Sequence, residues 1–173
     1  MPNHLSLLGI IHTAISILAL LVAFYALFRD GRIIPANGPG KLYILLTAIT
    51  CLTALPIMKT GHFTGAHGVA VVVLVLLLIG MYTRSIKALG KGAVYIETFI
   101  MSTTLFLSFI PAVVETLTRL PISNPIASGP NDPIIQTGLM TLVGLYIVGI
   151  IYQFIKLRKK KPASTPDSTI KFS

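Results

Sequence analysis

The residues Val69–Ile79 carry no polar side chain at all. They lie inside a longer apolar run, Ala66–Tyr82, and the chain has four more of the same kind: Leu5–Phe28, Leu42–Met58, Ala93–Leu117 and Ile134–Ile155. A helix that crosses a bilayer needs roughly 20 mostly apolar residues, and these runs meet or approach that length. With 54% hydrophobic and 11% charged residues, the chain lacks the polar shell that a water-soluble domain requires. The runs are continuous rather than alternating, which excludes a β-barrel; helices are the other way to satisfy the backbone inside lipid. The sequence therefore predicts an all-α membrane protein. It is a bundle of five transmembrane helices within residues 1–156, followed by a basic tail, 157–173, that reads as disordered. The first run has no Lys or Arg before it and is too long for the apolar core of a signal peptide, so it reads as a retained span.

Lys and Arg set the orientation. Arg29, Arg32 and Lys41 fall between spans one and two. Arg84, Lys87 and Lys91 fall between three and four, and Lys156, Arg158, Lys159, Lys160, Lys161 and Lys171 follow span five. The other connections hold only Lys59 and Arg119, so twelve basic residues face two. The expected arrangement has the N-terminus outside and the C-terminus in the cytoplasm. The net charge of +9 is then a matter of topology, with no nucleic acid implied. The Arg158–Lys161 run next to a span end would attract anionic lipid at about 1 kcal/mol per charge.

Several spans show a directional face. In span one Gly9, His12, Ser16, Ala19, Ala23 and Ala26 step by three and four, a stripe of small residues that lets helices approach closely. Tyr43, Thr47, Thr50 and Ala54 repeat the pattern in span two, where Cys51 reads as a small packing residue. Span three looks bulky and aliphatic towards its inner end and is expected to be the most lipid-exposed there. The Arg119–Gln136 connection holds Pro121, Pro125, Pro130 and Pro133, which forbid a long helix and suggest a stiff, extended cover.

Span four is different. Glu97, Met101, Thr104, Ser108, Pro111, Glu115 and Thr118 form a largely polar stripe, which should face protein or water. Glu97 and Glu115 lie about 27 Å apart at helical rise, one near each membrane face. Glu97 is expected as a helix-start residue at headgroup level. Glu115 precedes Arg119 by one turn, in the favourable order for a pair. Pro111 removes a backbone hydrogen bond, and a kink is expected just below Glu115.

The four histidines, His4, His12, His62 and His67, gather near the outward starts of spans one and three. His12, buried within a span, needs a partner; a Thr, Ser or Glu of span four would serve as interhelical glue. A pair of His12 and His67 would alternatively suit haem or a metal, the neutral imidazole being the ligating form. Cofactors are otherwise unspecified. Phosphate-binding glycine motifs, HExxH and any assignable Ser-His-Asp set are missing, so an enzyme is the less favoured class.

The inner loop ending in Gly40-Lys41-Leu42-Tyr43, the start of span three at Gly65-Ala66-His67-Gly68, and Glu115-Thr116-Leu117-Thr118-Arg119-Leu120-Pro121 stand together. In these, the chain resembles small multi-span proteins of the bacterial inner membrane, a family of unknown function. The resemblance implies location in the inner membrane and no particular activity. A looser likeness, to haem-binding membrane cytochromes, rests on His12 alone within a span.

Three functions are compatible with these residues. One is a non-enzymatic membrane protein, a subunit or small-ligand binder whose polar cluster includes His12, Glu115, Ser108, Thr104, Glu97 and Arg119, with a homo-oligomer or membrane partner expected. Another is a proton- or ion-coupled transporter that uses the stripe of span four. The third is a redox module with haem or metal at His12 and His67.

Overall fold

A computed structural model describes residues 7–56, 64–121 and 123–159, and these are helical throughout, apart from their connections. The helices are α1 (Leu7–Asp30), α2 (Gly38–Ala54), α3 (Gly65–Tyr82), α4 (Ala93–Arg119) and α5 (Pro133–Lys159). Two 3₁₀ turns, Thr83–Ser85 and Lys87–Gly92, join α3 to α4. By length and composition, α1, α3, α4 and α5 are suited to cross a membrane, while α2 is a shorter apolar helix. His4, Lys59, His62 and the tail from 160 onward lie outside the described residues.

Local chemistry explains the helix boundaries. Asn37 caps α2, accepting the Gly40 N–H at 2.9 Å, and Pro39 sits in the first turn, where its missing N–H costs nothing. This cap starts α2 before the apolar run begins at Leu42. Asp132 caps α5 in the same way: its carboxylate accepts the Ile134 N–H at 3.0 Å, and Pro133 opens the helix. At the other end α5 carries its basic residues on to Lys159, three residues into the segment expected as tail.

The α1–α2 and α4–α5 pairs run antiparallel, as the contacts at each end require. His12 meets Thr53, and Asp30 meets Asn37, at opposite ends of the α1–α2 pair. Tyr95 stacks edge-on against Phe154, while Val113 and Leu117 lie against Gly138, at opposite ends of α4–α5. The molecule thus has two ends. One holds His12, Thr53 and the close of α4. The other holds the α1–α2 and α3–α4 connections and Glu97.

The core joins α1 to α4 and leaves α5 outside. Ala23 and Ala26 of α1, Tyr43, Ile44 and Cys51 of α2, Ala70, Val73 and Leu77 of α3, and Met101 and Leu105 of α4 form one cluster. The small-residue stripe of α1 is buried at Gly9, Ala19, Ala23 and Ala26, as its spacing predicts. Helix α3 departs from expectation. His67, Ala70, Val73, Leu77 and Gly80 form a buried stripe along its whole length. Met101 reaches so close to Gly80 that a Cβ there would sit 2.7 Å from its sulfur. The most exposed helix is α5, which buries only Ile135 and Gln153 and packs on α4 alone. Large apolar side chains such as Leu21, Phe28, Leu45, Leu78, Leu145 and Val148 are exposed on all sides, a surface that water would not tolerate.

The proline-rich connection also differs from the extended cover expected of it. Ala127 is buried, and its N–H donates to the Leu117 carbonyl at 2.9 Å; the Ile126 N–H donates to Leu120 at 3.1 Å. The chain folds back on the close of α4, satisfying carbonyls the helix leaves open. Helix α4 itself continues through Pro111.

Candidate functional site

The stripe on α4 is the natural place to look, because it carries both glutamates of the chain and a run of hydroxyls along one helix face. Its first half faces protein: Glu97, Met101 and Thr104 are almost fully buried. Its second half, from Ser108 to Glu115, is progressively more open.

Glu97, expected at the start of its helix, lies one turn into α4. It is about 1% exposed and is taken up by two guanidiniums. Arg32 Nη1 lies 2.7 Å from Oε1, and Arg84 Nε lies 2.9 Å from Oε2. Arg32 also reaches the Thr98 hydroxyl at 3.4 Å. Arg32 comes from the α1–α2 connection and Arg84 from the turn after α3, so one carboxylate on α4 fastens three parts of the bundle. Burying a carboxylate costs several kcal/mol, and only good geometry with added hydrogen bonds offsets it. Here both oxygens are engaged. The two arginines, read from sequence only as orientation signals, are thus structural as well.

Gly31 and Gly40 shape the loop that presents Arg32. Gly31 has φ +76°, in the left-handed region that glycine occupies without strain. A Cβ on Gly40 would overlap the Ile34 carbonyl, so this position in the first turn of α2 favours glycine.

Hydroxyls fill the middle of the bundle. The Thr104 hydroxyl donates to the Met101 carbonyl at 2.7 Å, so Tyr43, at 2.9 Å, donates to Thr104. Ser108 donates back to the Thr104 carbonyl at 2.8 Å. The Thr47 hydroxyl lies beside Tyr43, and among the described residues neither it nor the buried Thr50 hydroxyl has a hydrogen-bond partner.

At the far end His12 is half-buried, and its partner belongs to α2 rather than α4. Its Nδ1 lies 3.1 Å from the Thr53 hydroxyl. That hydroxyl gives its own proton to backbone carbonyls, Ile49 at 2.9 Å and Thr50 at 3.0 Å. His12 must then donate from Nδ1–H, which leaves the lone pair on Nε2. Glu115 of α4 interacts electrostatically with His12 across the bundle and is ion-paired with Arg119 one turn on. The structure therefore brings His12, Glu115 and Arg119 together, keeps Glu97 at the opposite end, and places Thr104 and Ser108 between.

His67 does something else. Its Nδ1 accepts the Thr64 N–H at 3.1 Å and sits 2.9 Å from the Thr64 hydroxyl, a capping box with histidine as the third helical residue. With the Nδ1 lone pair taken by an N–H, the neutral ring carries its proton on Nε2 and offers no lone pair to iron or zinc. Among the described residues no group of three or more His, Cys, Asp or Glu converges as a metal site would.

Two cavities accompany the site. A largely apolar cleft of about 360 Å³ on α4 is lined by Phe109, Ala112, Val113, Thr116 and Leu117. A small cavity of about 20 Å³ lies at the Glu97 end, among Asp30, Gly31, Arg32, Gln153, Lys156 and Leu157.

Comparison with family models, curated proteins and solved structures finds no match to this chain.

Proposed function

We propose that this is a non-enzymatic integral protein of the bacterial inner membrane. It crosses five times, with the Glu97 end cytoplasmic and the His12 end outside. Its role is that of a subunit or small-ligand binder acting through the His12–Glu115–Arg119 cluster. One observation carries this reading: at one mouth of the bundle an imidazole of α1 with a lone pair lies within electrostatic reach of a half-exposed carboxylate of α4 that is paired with a guanidinium. The opposite end is closed by the Arg32–Glu97–Arg84 lock. The convergence of Arg32 and Arg84 on one carboxylate supports the sidedness, since it requires both basic connections to lie at the same end. A bundle latched at one end and polar at the other suits holding rather than passing a ligand.

The test is a thermal-shift screen of small polar ligands on the detergent-purified protein, with in-membrane crosslinking for protein partners. The reading expects a response that Glu115→Gln abolishes while leaving the helical content intact. A response indifferent to His12→Ala and Glu115→Gln would remove it.

The unpartnered Thr47 and Thr50 hydroxyls favour a second reading, a proton- or ion-coupled transporter. They sit between the Tyr43–Thr104 and His12–Thr53 pairs and extend a polar seam along α2. Flux into membrane vesicles that is lost in Glu115→Gln and reduced in Tyr43→Phe would establish it. Absence of flux in the unaltered protein would dismiss it.

A further inference from the structure

The two cavities lie along one side of α4. Helix α5 packs on α4, while α1 reaches α4 through Phe24 and does not pack along α5. At one margin of the apolar cleft, Phe109 meets Phe24 of α1 with ring centroids 5.7 Å apart. At the other margin, Val113 and Leu117 lie against Gly138 of α5. The small cavity lies between the same two neighbours of α4, since Gln153 of α5 accepts the Ser102 hydroxyl at 2.8 Å and Gly31 and Arg32 follow α1. From Ser102 to the cleft residues Phe109 and Leu117 is about 10 to 22 Å at helical rise. The apolar half-thickness of a bilayer is about 15 Å, so the cleft begins within one acyl chain of the cavity.

The cavity is rich in donors. Lys156 folds across to the α1–α2 connection, its Nζ 2.6 Å from where a Cβ would stand on Gly31. Among the described residues no carboxylate pairs with it. Asp30 lines the same cavity, but its oxygens already accept from Arg29 at 3.1 Å and Asn37 at 2.7 Å. Gln153 is buried and uses Oε1 for Ser102, which leaves its Nε2 hydrogens uncommitted. Arg32 spends Nη1 on Glu97 and Thr98 and brings charge to the rim. Tyr25, Tyr82 and Tyr152 are exposed at this end, the belt that tyrosines form at headgroup depth.

We infer that an anionic phospholipid occupies this side of α4, with its phosphate against Lys156, Gln153 and Arg32 and one acyl chain in the α4 cleft. The inference rests on the membrane reading proposed above. It differs from general attraction of the basic tail to a charged surface, because it requires one lipid per chain at a defined place. The cavity is too small for a whole phosphate and admits a single phosphoryl oxygen, while the headgroup stays outside.

Native mass spectrometry of the protein in mild detergent tests this, with phosphatidylglycerol, phosphatidylcholine or inorganic phosphate added. One phosphatidylglycerol is expected to remain per chain, in preference to phosphatidylcholine. Lys156→Gln should lower its occupancy about fivefold, the worth of one interfacial charge, while Lys159→Gln in the next turn changes nothing. Ala112→Phe, which fills the cleft and leaves every charge in place, should also release the lipid. Far-UV circular dichroism and unchanged elution certify that each variant is folded. Equal retention of the two lipids, or equal effects of Lys156→Gln and Lys159→Gln, would overturn the proposal. Displacement by inorganic phosphate would also overturn it, in favour of a free-anion site. Retention in detergent is blind to sidedness, so a negative result here leaves the five-span reading standing.

Discussion

Arg32 holds Glu97 at 2.7 Å across sixty-five residues of sequence, with the carboxylate almost wholly buried and the guanidinium only 12% exposed. Arg84 holds the other oxygen but is 45% exposed. The same ion pair is thus deep on one side and solvated on the other, and the two arginines should differ in worth. Glu97→Ala strands the buried guanidinium and should destabilise the protein by about 3–5 kcal/mol. Arg32→Gln should cost nearly as much, whereas Arg84→Gln should cost about 0–1 kcal/mol, as exposed pairs do. Unfolding in detergent measures all three. Equal losses for the two arginine variants would contradict this division.

Two neighbouring glycines offer a matched comparison. A Cβ at Gly40 overlaps the Ile34 carbonyl, whereas at Gly38 nothing stands within 4 Å. Gly40→Ala should therefore lower stability by about 1–3 kcal/mol, the usual cost of forcing atoms into a packed site. Gly38→Ala should be neutral or slightly stabilising. Since Ile34 leads out of the turn that carries Arg32, Gly40→Ala should also loosen Arg32 from Glu97. Its cost should then shrink in an Arg32→Gln background. Additive costs would separate the loop from the ion pair.

The tautomer of His12 is fixed by the direction of the Thr53 proton. Because Thr53 donates to the Ile49 and Thr50 carbonyls, ¹⁵N spectra of the ring should show Nδ1–H. Thr53→Val should remove that preference at a cost of about 0.6 kcal/mol, typical of interhelical hydrogen bonds in membranes. An Nε2–H ring in the unaltered protein would be incompatible with the His12–Thr53 bond described.

Outside the spans, Asp132 predicts a response to acid. The Ser128 and Ile134 N–H groups and the Ser128 hydroxyl hold its carboxyl below the usual carboxylate range. Its folded value is thus lower than its unfolded one, about 3.9. The stabilisation is complete above the unfolded value and disappears as pH falls through the folded one. Asp132→Ala should therefore melt earlier than the unaltered protein at pH 7, with the gap narrowing as pH falls below the unfolded value and through the folded one. A gap that stays constant with pH would show that the cap acts without its charge.

How much of this is legible in the sequence depends on contrast. The apolar runs stand out against polar loops, so the helices are readable within a few residues. The stripe of Gly9, Ala19, Ala23 and Ala26 is readable because small residues differ from the Leu and Ile around them. The buried stripe of α3 is not, since Val73 and Leu77 look the same as the Val and Leu that face outward. Lipid is as apolar as a protein core, and hydropathy cannot tell the two apart. The Glu115–Arg119 pair is local and follows from spacing. The Glu97 lock is tertiary, and its arginines are masked by serving the orientation rule as well. One signal could have found it: Glu97 lies at the end where the basic connections gather, and an intramembrane carboxylate calls for a cation nearby. The capping role of His67 is hidden because Glu or Gln normally fills that position.

The sidedness of the bundle carries the account, and cysteine labelling in intact cells reads it directly. With buried Cys51 replaced by Ala, Ala88→Cys in the α3–α4 connection and Asn124→Cys in the α4–α5 connection, both exposed sites, are treated with a membrane-impermeant maleimide. The five-span arrangement predicts that Asn124→Cys reacts at once and that Ala88→Cys reacts only after the membrane is opened. Reaction of both from outside, or of Ala88→Cys alone, would contradict it and leave His12, Glu115 and Arg119 facing the wrong compartment for the role assigned to them.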